Sequence, residues 1–388
     1  MKPTHRKPVV PLFFLICLFV FMIKFTLAQQ PADTTRGFHH DQPVESEKPR
    51  ITFSGYLDAY YAYYSDSLGP GMFQKFPTGA PKSNAFGITT VQLTAAYAAD
   101  RIRFQTTLHW GDLANSSWES GANGWLKFIQ EANGGVRLVK SLWLEGGFFR
   151  TFIGTEGALP KENFTSSVAV PTWHQPYYMS GLRLSYDITP RLVLRVYVVN
   201  QYNGFLEGNK KKHVGFIATY ALTDKITLCI NNITGDDTPD SISTSHLRVY
   251  NSAMITYTGE KFKFVAGADL ATQKNSKIND GSSSAMMYNT LASVKYSFIP
   301  EFAVYGRGEY YSDPEGFLGS SYISDASPAG LQIGGGTLGV EYKPIPTSYI
   351  RLESRVLKAN DKYTGVFYND GEPTNTRVEV LFNLGVWF

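Results

Sequence analysis

Residues 376–388 read TRVEVLFNLGVWF. Val378, Val380, Phe382, Leu384, Val386 and Phe388 alternate with Arg377, Glu379, Leu381, Asn383, Gly385 and Trp387. A period of two puts the first set on one face of a strand and the second on the other. Soluble strands mostly run about 5–6 residues, whereas a tilted strand crossing a membrane needs roughly 9–11. This stretch is long enough to cross and reaches the last residue. It predicts a lipid-facing stripe backed by a stripe facing an enclosed interior.

The same rhythm recurs back through the chain. Near 51–64, Ile51, Phe53, Leu57, Ala59, Tyr61 and Tyr63 oppose Thr52, Ser54, Asp58 and Tyr60. Near 86–98, Val91, Leu93, Ala95 and Tyr97 alternate with Gln92 and Thr94. From 102 to 110, Ile102, Phe104, Leu108 and Trp110 oppose Arg103, Gln105, Thr107 and His109. Further strands are expected near 126–138, 142–153, 178–188, 191–203, 212–221, 225–234, 246–258, 261–271, 286–297, 301–311, 332–343, 348–357 and 376–388. Short connections fall at 99–100, 139–141, 189–190, 222–224, 259–260, 298–300 and 344–346. Long ones, rich in Gly, Ser, Asn, Asp and Pro, cover 65–84, 112–125, 154–177, 204–211, 235–245, 272–284, 312–331 and 358–375.

Long loops alternating with short turns are the asymmetry of outer-membrane barrels, whose short turns are periplasmic and whose strand count is even. A soluble β-sandwich also alternates apolar and polar residues. It would show one coherent core pattern per domain, and none is seen. In a membrane every backbone hydrogen bond must be made internally, so an open sheet edge is costly. The expected fold is therefore all-β: a closed antiparallel transmembrane β-barrel of sixteen strands over 50–388, both ends on the short-turn side.

The N-terminus reads as an export signal. Lys2, Arg6 and Lys7 precede an apolar run from Val9 to Phe25, interrupted by Lys24, and Thr26 and Ala28 suit a cut before Gln29. Residues 1–28 hold four basic residues and no acidic one, which leaves 32 Lys+Arg against 33 Asp+Glu in the rest. A near-neutral mature chain gives no electrostatic footprint for nucleic acid. Cys17 lies in the signal and Cys229 is left alone, so no intrachain disulfide can form. Residues 29–49 are polar and read as a flexible periplasmic lead-in. His39 and His40 lack the spaced partners of a metal site.

Several segments resemble a known family. They are Leu126–Ala132, Leu142–Gly154, Gly181–Tyr186, Val198–Asn200 and Glu309–Gly316. Together they are similar to the OmpL-like family of outer-membrane β-barrel porins, over about 50–388. The resemblance implies a pore in the outer membrane of a Gram-negative envelope, with no defined substrate. It also implies assembly by the barrel assembly machinery.

If the apolar stripes meet lipid, the opposite stripes line the lumen. They carry Asp58, His109, Glu145, Lys261, Lys263, Asp269, Lys295, Glu341, Arg377 and Glu379. They also carry the pore-lining candidates Arg103, Arg183, Arg195, Arg248, Arg307, Glu309, Arg351, Glu353 and Arg355. A charge turned to mid-membrane lipid costs about 2–4 kcal/mol, so an inward position is favoured. Positive bands there would bias passage towards anions. The same residues could instead pair across strands and stiffen the wall, and both readings stay open.

Segment 154–177 could fold into the pore and bring Lys161, Glu162 or His174 to its throat, or it could lie in solvent. Acidic residues at 236–240 and 313–325 lack the spacing of a calcium cage. No His-Glu-x-x-His pattern, phosphate loop or nucleophile motif is present, so no enzyme, cofactor or metal is expected. The expected function is passive passage of small hydrophilic solutes through the outer membrane, with homo-oligomerisation compatible. The alternative is a non-conducting barrel acting as adhesin or structural protein.

Overall fold

The computed structural model describes residues 49–66, 72–118, 124–324, 327–369 and 371–388. The expected signal peptide and the lead-in up to residue 48 lie outside the described residues. The strands are β1 Arg50–Tyr64, β2 Ala85–Ala98, β3 Ile102–Trp110, β4 Ile129–Val139, β5 Leu142–Arg150, β6 Tyr178–Thr189, β7 Leu192–Val199, β8 His213–Ala221, β9 Ile226–Gly235 and β10 Arg248–Thr258. They continue with β11 Phe262–Gln273, β12 Ala285–Ile299, β13 Phe302–Ser312, β14 Ser321–Ser324, β15 Ser327–Gly330, β16 Gln332–Tyr342, β17 Ser348–Ala359, β18 Phe367–Asn369, β19 Glu372–Thr374 and β20 Thr376–Trp387.

Sixteen of these close into one barrel, in the order β1 to β13, then β16, β17 and β20. Each pairs antiparallel with its neighbours, and β20 returns to β1 with Tyr56 opposite Trp387 and Tyr64 opposite Glu379. The seam extends one residue past β20. Phe388 N–H donates to the Gly55 carbonyl at 3.1 Å, and Gly55 N–H donates to that of Phe388 at 3.2 Å. No edge is left at the seam, which is what a lipid surround requires.

The alternation in the sequence is the inside–outside alternation of this wall. On β20, Val378, Val380, Phe382, Leu384 and Val386 are exposed, while Arg377, Glu379, Leu381 and Asn383 are buried inside. Phe388 is 76 % exposed on the outer, lipid side. Inward aromatic side chains use the pleat of the neighbouring strand. The ring of Tyr349 lies over Gly385, its cross-strand partner, where an added Cβ would sit 2.3 Å from the ring. Only glycine leaves that space.

Three differences from the sequence reading have local causes. Residues 126–128 form a 3-10 turn before β4 rather than its first residues. β5 ends at Arg150, because Thr151–Ile153 already belong to a segment that leaves the wall. The connections at 312–331 and 358–375 contain small hairpins, β14–β15 and β18–β19.

Candidate functional site

The segment from 151 to 177 reads TFIGTEGALPKENFTSSVAVPTWHQPY. It mixes small apolar residues with Ser and Thr, a composition that suits partial burial better than bulk solvent. It leaves β5 through Gly154, whose φ of +95° is a left-handed conformation that favours glycine. Every position from 151 to 177 is buried except Thr151, Lys161, Glu162, Phe164 and Trp173, which are half-buried. The segment lies inside the barrel, so of the two readings left open the infolded one holds.

A buried loop needs partners for its peptide groups, and here β13 and β17 supply them. Arg307 Nη1 donates to the Ser167 carbonyl at 2.6 Å, to Thr165 Oγ1 at 2.7 Å and to Glu156 Oε2 at 3.1 Å. Its Nη2 reaches Ser167 Oγ at 2.8 Å and Glu309 Oε1 at 3.2 Å. Arg351 donates to three loop carbonyls, those of Pro160 (2.9 Å), Asn163 (3.1 Å) and Thr165 (3.1 Å). The carboxylates take the complementary part. Glu353 accepts from Ser166 N–H at 2.6 Å and Ser167 N–H at 3.0 Å. Glu309 accepts from Val170 N–H at 2.6 Å and from Arg355 Nε at 3.0 Å. Arg355 continues the network to Glu379 at 3.4 Å.

Five of the nine pore-lining candidates, Arg307, Glu309, Arg351, Glu353 and Arg355, therefore converge on one strip of wall. They are almost fully buried, and they bond to the loop, to each other, and to Glu341 and Glu379 on neighbouring strands. The structure brings two more together on another strip. Arg103 Nε (2.9 Å) and Arg183 Nη2 (2.7 Å) share Glu145 Oε1, with Ser185 Oγ on Oε2 at 2.6 Å. Arg248 stands apart, bonded to Gln273 at 2.8 Å, paired with Asp237 at 3.3 Å and lying 4.5 Å from the Tyr202 ring. Arg195 is half-buried on the inner face of β7, opposite Ser185 and Ile217.

Of the three loop residues named for the throat, Lys161 remains half-buried, its Nζ 4.4 Å from the Tyr56 ring. Burial lowers its pKa to about 8. Glu162 forms a two-point pair with Arg150, both contacts at 2.5 Å. His174 is buried against the Tyr311 ring, and burial holds it at about 4, so it carries no charge at neutral pH. Lys261 is exposed in the turn before β11 and is not part of the wall.

Sequence reasoning missed Glu156, Thr165, Ser166 and Ser167, the loop's half of the clamp. The signal was present in the run from Thr165 to Val170, whose small side chains allow backbone groups to approach a wall closely. A second network was also missed. Tyr349 OH donates to Asp58 Oδ2 at 2.6 Å and meets Tyr56 OH at 2.6 Å, while Asn383 reaches Asp58 Oδ1 at 3.0 Å.

A closed sixteen-strand wall thus holds a loop clamped inside it. A family model described as "Putative beta-barrel porin-2, OmpL-like" matches residues 50–388. The chain belongs to that family. This OmpL-like chain is thus an outer-membrane porin, and the family points to a channel rather than an enzyme. No curated protein matches it. Among solved structures, an anion-selective porin from Comamonas acidovorans is similar at 9% identity and a TM-score of 0.56, covering 88% of this chain and 100% of that one. The outer membrane channel DcaP of Acinetobacter baumannii has 10% identity and a TM-score of 0.56, covering 88% and 97%. OmpT of Vibrio cholerae, in a trimer form, has 12% identity and a TM-score of 0.53, covering 88% and 100%. At such identities the likeness is one of fold.

Proposed function

We propose that this OmpL-like porin is a passive channel for small hydrophilic solutes, narrowed by the segment 151–177. The observation that carries the reading is the clamp of Arg307, Arg351, Glu309 and Glu353 onto that segment. A sixteen-strand barrel is wide enough to leave an aqueous passage. A loop fixed across part of that width reduces it to the size of a small solute. The clamp is made largely of buried charged groups. Such groups are costly to leave unpaired, so the loop is held in one place.

In this reading Arg307 and Arg351 set the bore by holding the loop, and Arg355 orients Glu309, which accepts from Val170 N–H. The less enclosed cations Arg103, Arg183, Arg195 and Arg248 supply the field that a passing solute meets. An excess of such cations favours anions, and an anion-selective porin is among the structures of similar fold. The mature chain would begin after residue 28. The barrel assembly machinery would insert it through its terminal strand. A homo-oligomer is compatible, as one similar protein has a trimer form.

The test is conductance. Purified full-length protein in planar bilayers is expected to give stepwise insertions, with a reversal potential under a salt gradient that favours anions. Neutralising Arg103, Arg183, Arg195 and Arg248 together should weaken that preference. An unchanged reversal potential would return these arginines to wall stiffening, and sealed bilayers after verified insertion would favour the adhesin or structural reading.

A further inference from the structure

Where the loop tip meets the wall, Lys161, Glu162, Asn163 and Phe164 face Lys263, Lys295, Glu341, Lys343, Tyr349, Arg351 and Trp387 across a small recess. We infer that this recess is a binding subsite for a small, multiply charged oxyanion, reached from the short-turn end of the lumen. The inference rests on the channel reading and gives it a substrate class.

Charge is the first support. The lining holds five cations and two carboxylates, and both carboxylates are already engaged. Glu162 is held at two points by Arg150. Glu341 is shared between Arg351, at 2.8 Å, and Lys295. Lys161 lies over the Tyr56 ring at 4.4 Å and Lys343 over the Trp387 ring at 5.6 Å, each against an aromatic face rather than a carboxylate. The recess therefore carries a positive excess in a partly desolvated place, where an anion is attracted more strongly than in bulk water.

Register is the second support. Lys263 on β11 is directly opposite Lys295 on β12. Two lysines in register put ammonium donors on adjacent strands, so one oxyanion could accept from both. Lys343 follows β16 at the short-turn end, and Lys263 is the second residue of β11 after a short turn. The cluster thus lies towards the periplasmic mouth.

Size selects the ligand class. The cavity is about 20 Å³, room for one water-sized group. A sugar ring cannot enter. An oxyanion can seat one or two oxygens among the ammonium groups and leave the rest of its molecule in the lumen. Lys161 fits this use, since burial lowers its pKa to about 8 and a bound anion would favour its charged form.

The experiment uses full-length protein in planar bilayers, with inorganic phosphate added to one side of a chloride solution at fixed pH and ionic strength. Phosphate at the short-turn side should reduce the chloride current saturably, and more than phosphate at the long-loop side. Lys161→Gln combined with Lys343→Gln should raise the midpoint at least about tenfold, while Lys210→Gln, on an exposed loop, should not. If the double variant fails to insert, Lys161→Gln alone carries the same expectation. A conducting wild type with no saturable phosphate effect, or with the same midpoint in the variants, overturns the subsite and leaves the channel standing. If the wild type passes no current, the channel reading falls. Calorimetric titration of phosphate into detergent-solubilised protein then decides the subsite: saturable heat lost in the variants supports it, and its absence overturns it.

Discussion

Arg307, on the inner face of β13, donates a 2.6 Å hydrogen bond to the carbonyl oxygen of Ser167 in the inserted segment. The two residues are 140 positions apart, and their contact joins the barrel wall to the loop inside it. Glu353, on β17 two strands along the wall, performs the complementary task, accepting the N–H groups of Ser166 and Ser167. A guanidinium for the carbonyls and a carboxylate for the amides satisfy a backbone that water would otherwise solvate.

Replacing Arg307 with Ala should therefore release the loop without opening the barrel. Glu156 and Glu309 would lose a buried partner, and breaking such a pair costs about 3–5 kcal/mol. The expected result is a lower heat-denaturation midpoint on gels, together with a larger and noisier single-channel conductance. Wild-type conductance with wild-type noise would show that the clamp does not set the bore.

The charge of Lys161 should give the channel a pH dependence. Its pKa is lowered to about 8 by burial, so it is charged below that pH and neutral above it. Glu162, Arg150 and Glu131 are the charged groups that act on it most directly. Lys263, Lys295, Lys343, Arg351 and Glu341 line the same recess. Anion preference, read from reversal potentials, should weaken as pH rises through about 8. In Lys161→Arg that step should shrink, since arginine stays charged. A step of unchanged size in the arginine variant would assign it to another group.

The terminal strand makes a separate prediction. Phe388 closes the seam through its backbone bonds to Gly55 and presents its ring outward. Phe388→Asp would turn a charge towards the lipid side near the short-turn rim. Depth matters there: the cost falls from about 2–4 kcal/mol at the midplane for basic residues to about 0–1 near the interface, and is less for acidic ones. Folded stability should change little, whereas the amount of inserted barrel should fall relative to precursor. Equal heat-modifiable barrel in outer-membrane fractions from both proteins would contradict an assembly role for the ring.

The barrel was legible in the sequence because its cause is local. Lipid on one side and water on the other force a period of two, and that period is visible in Val378 to Phe388 and in Ile51 to Tyr63. Strand number and closure followed from the loop rhythm. The loop's place inside the wall was less legible, because its cause is not local. Nothing near Arg307 in the chain announces Thr165 or Ser167 as its partners, since the pairing depends on which loop bends inward. Alternation puts Arg307, Arg351 and Arg355 on the inner stripe. It could not show that Arg307 and Arg351 bond a loop there. Leu126–Phe128 misled for a simpler reason, as one apolar turn ahead of β4 has the same composition as a strand end.

The measurement closest to the central claim is single-channel recording from purified full-length protein, beside a variant in which Arg307 and Arg351 are both replaced by Ala. The account predicts stepwise conductance from the native protein and a clearly larger unit conductance from the variant, with both proteins verified as inserted barrels. Sealed membranes from the inserted native protein would contradict the channel. Identical unit conductances would contradict the clamped loop as its constriction.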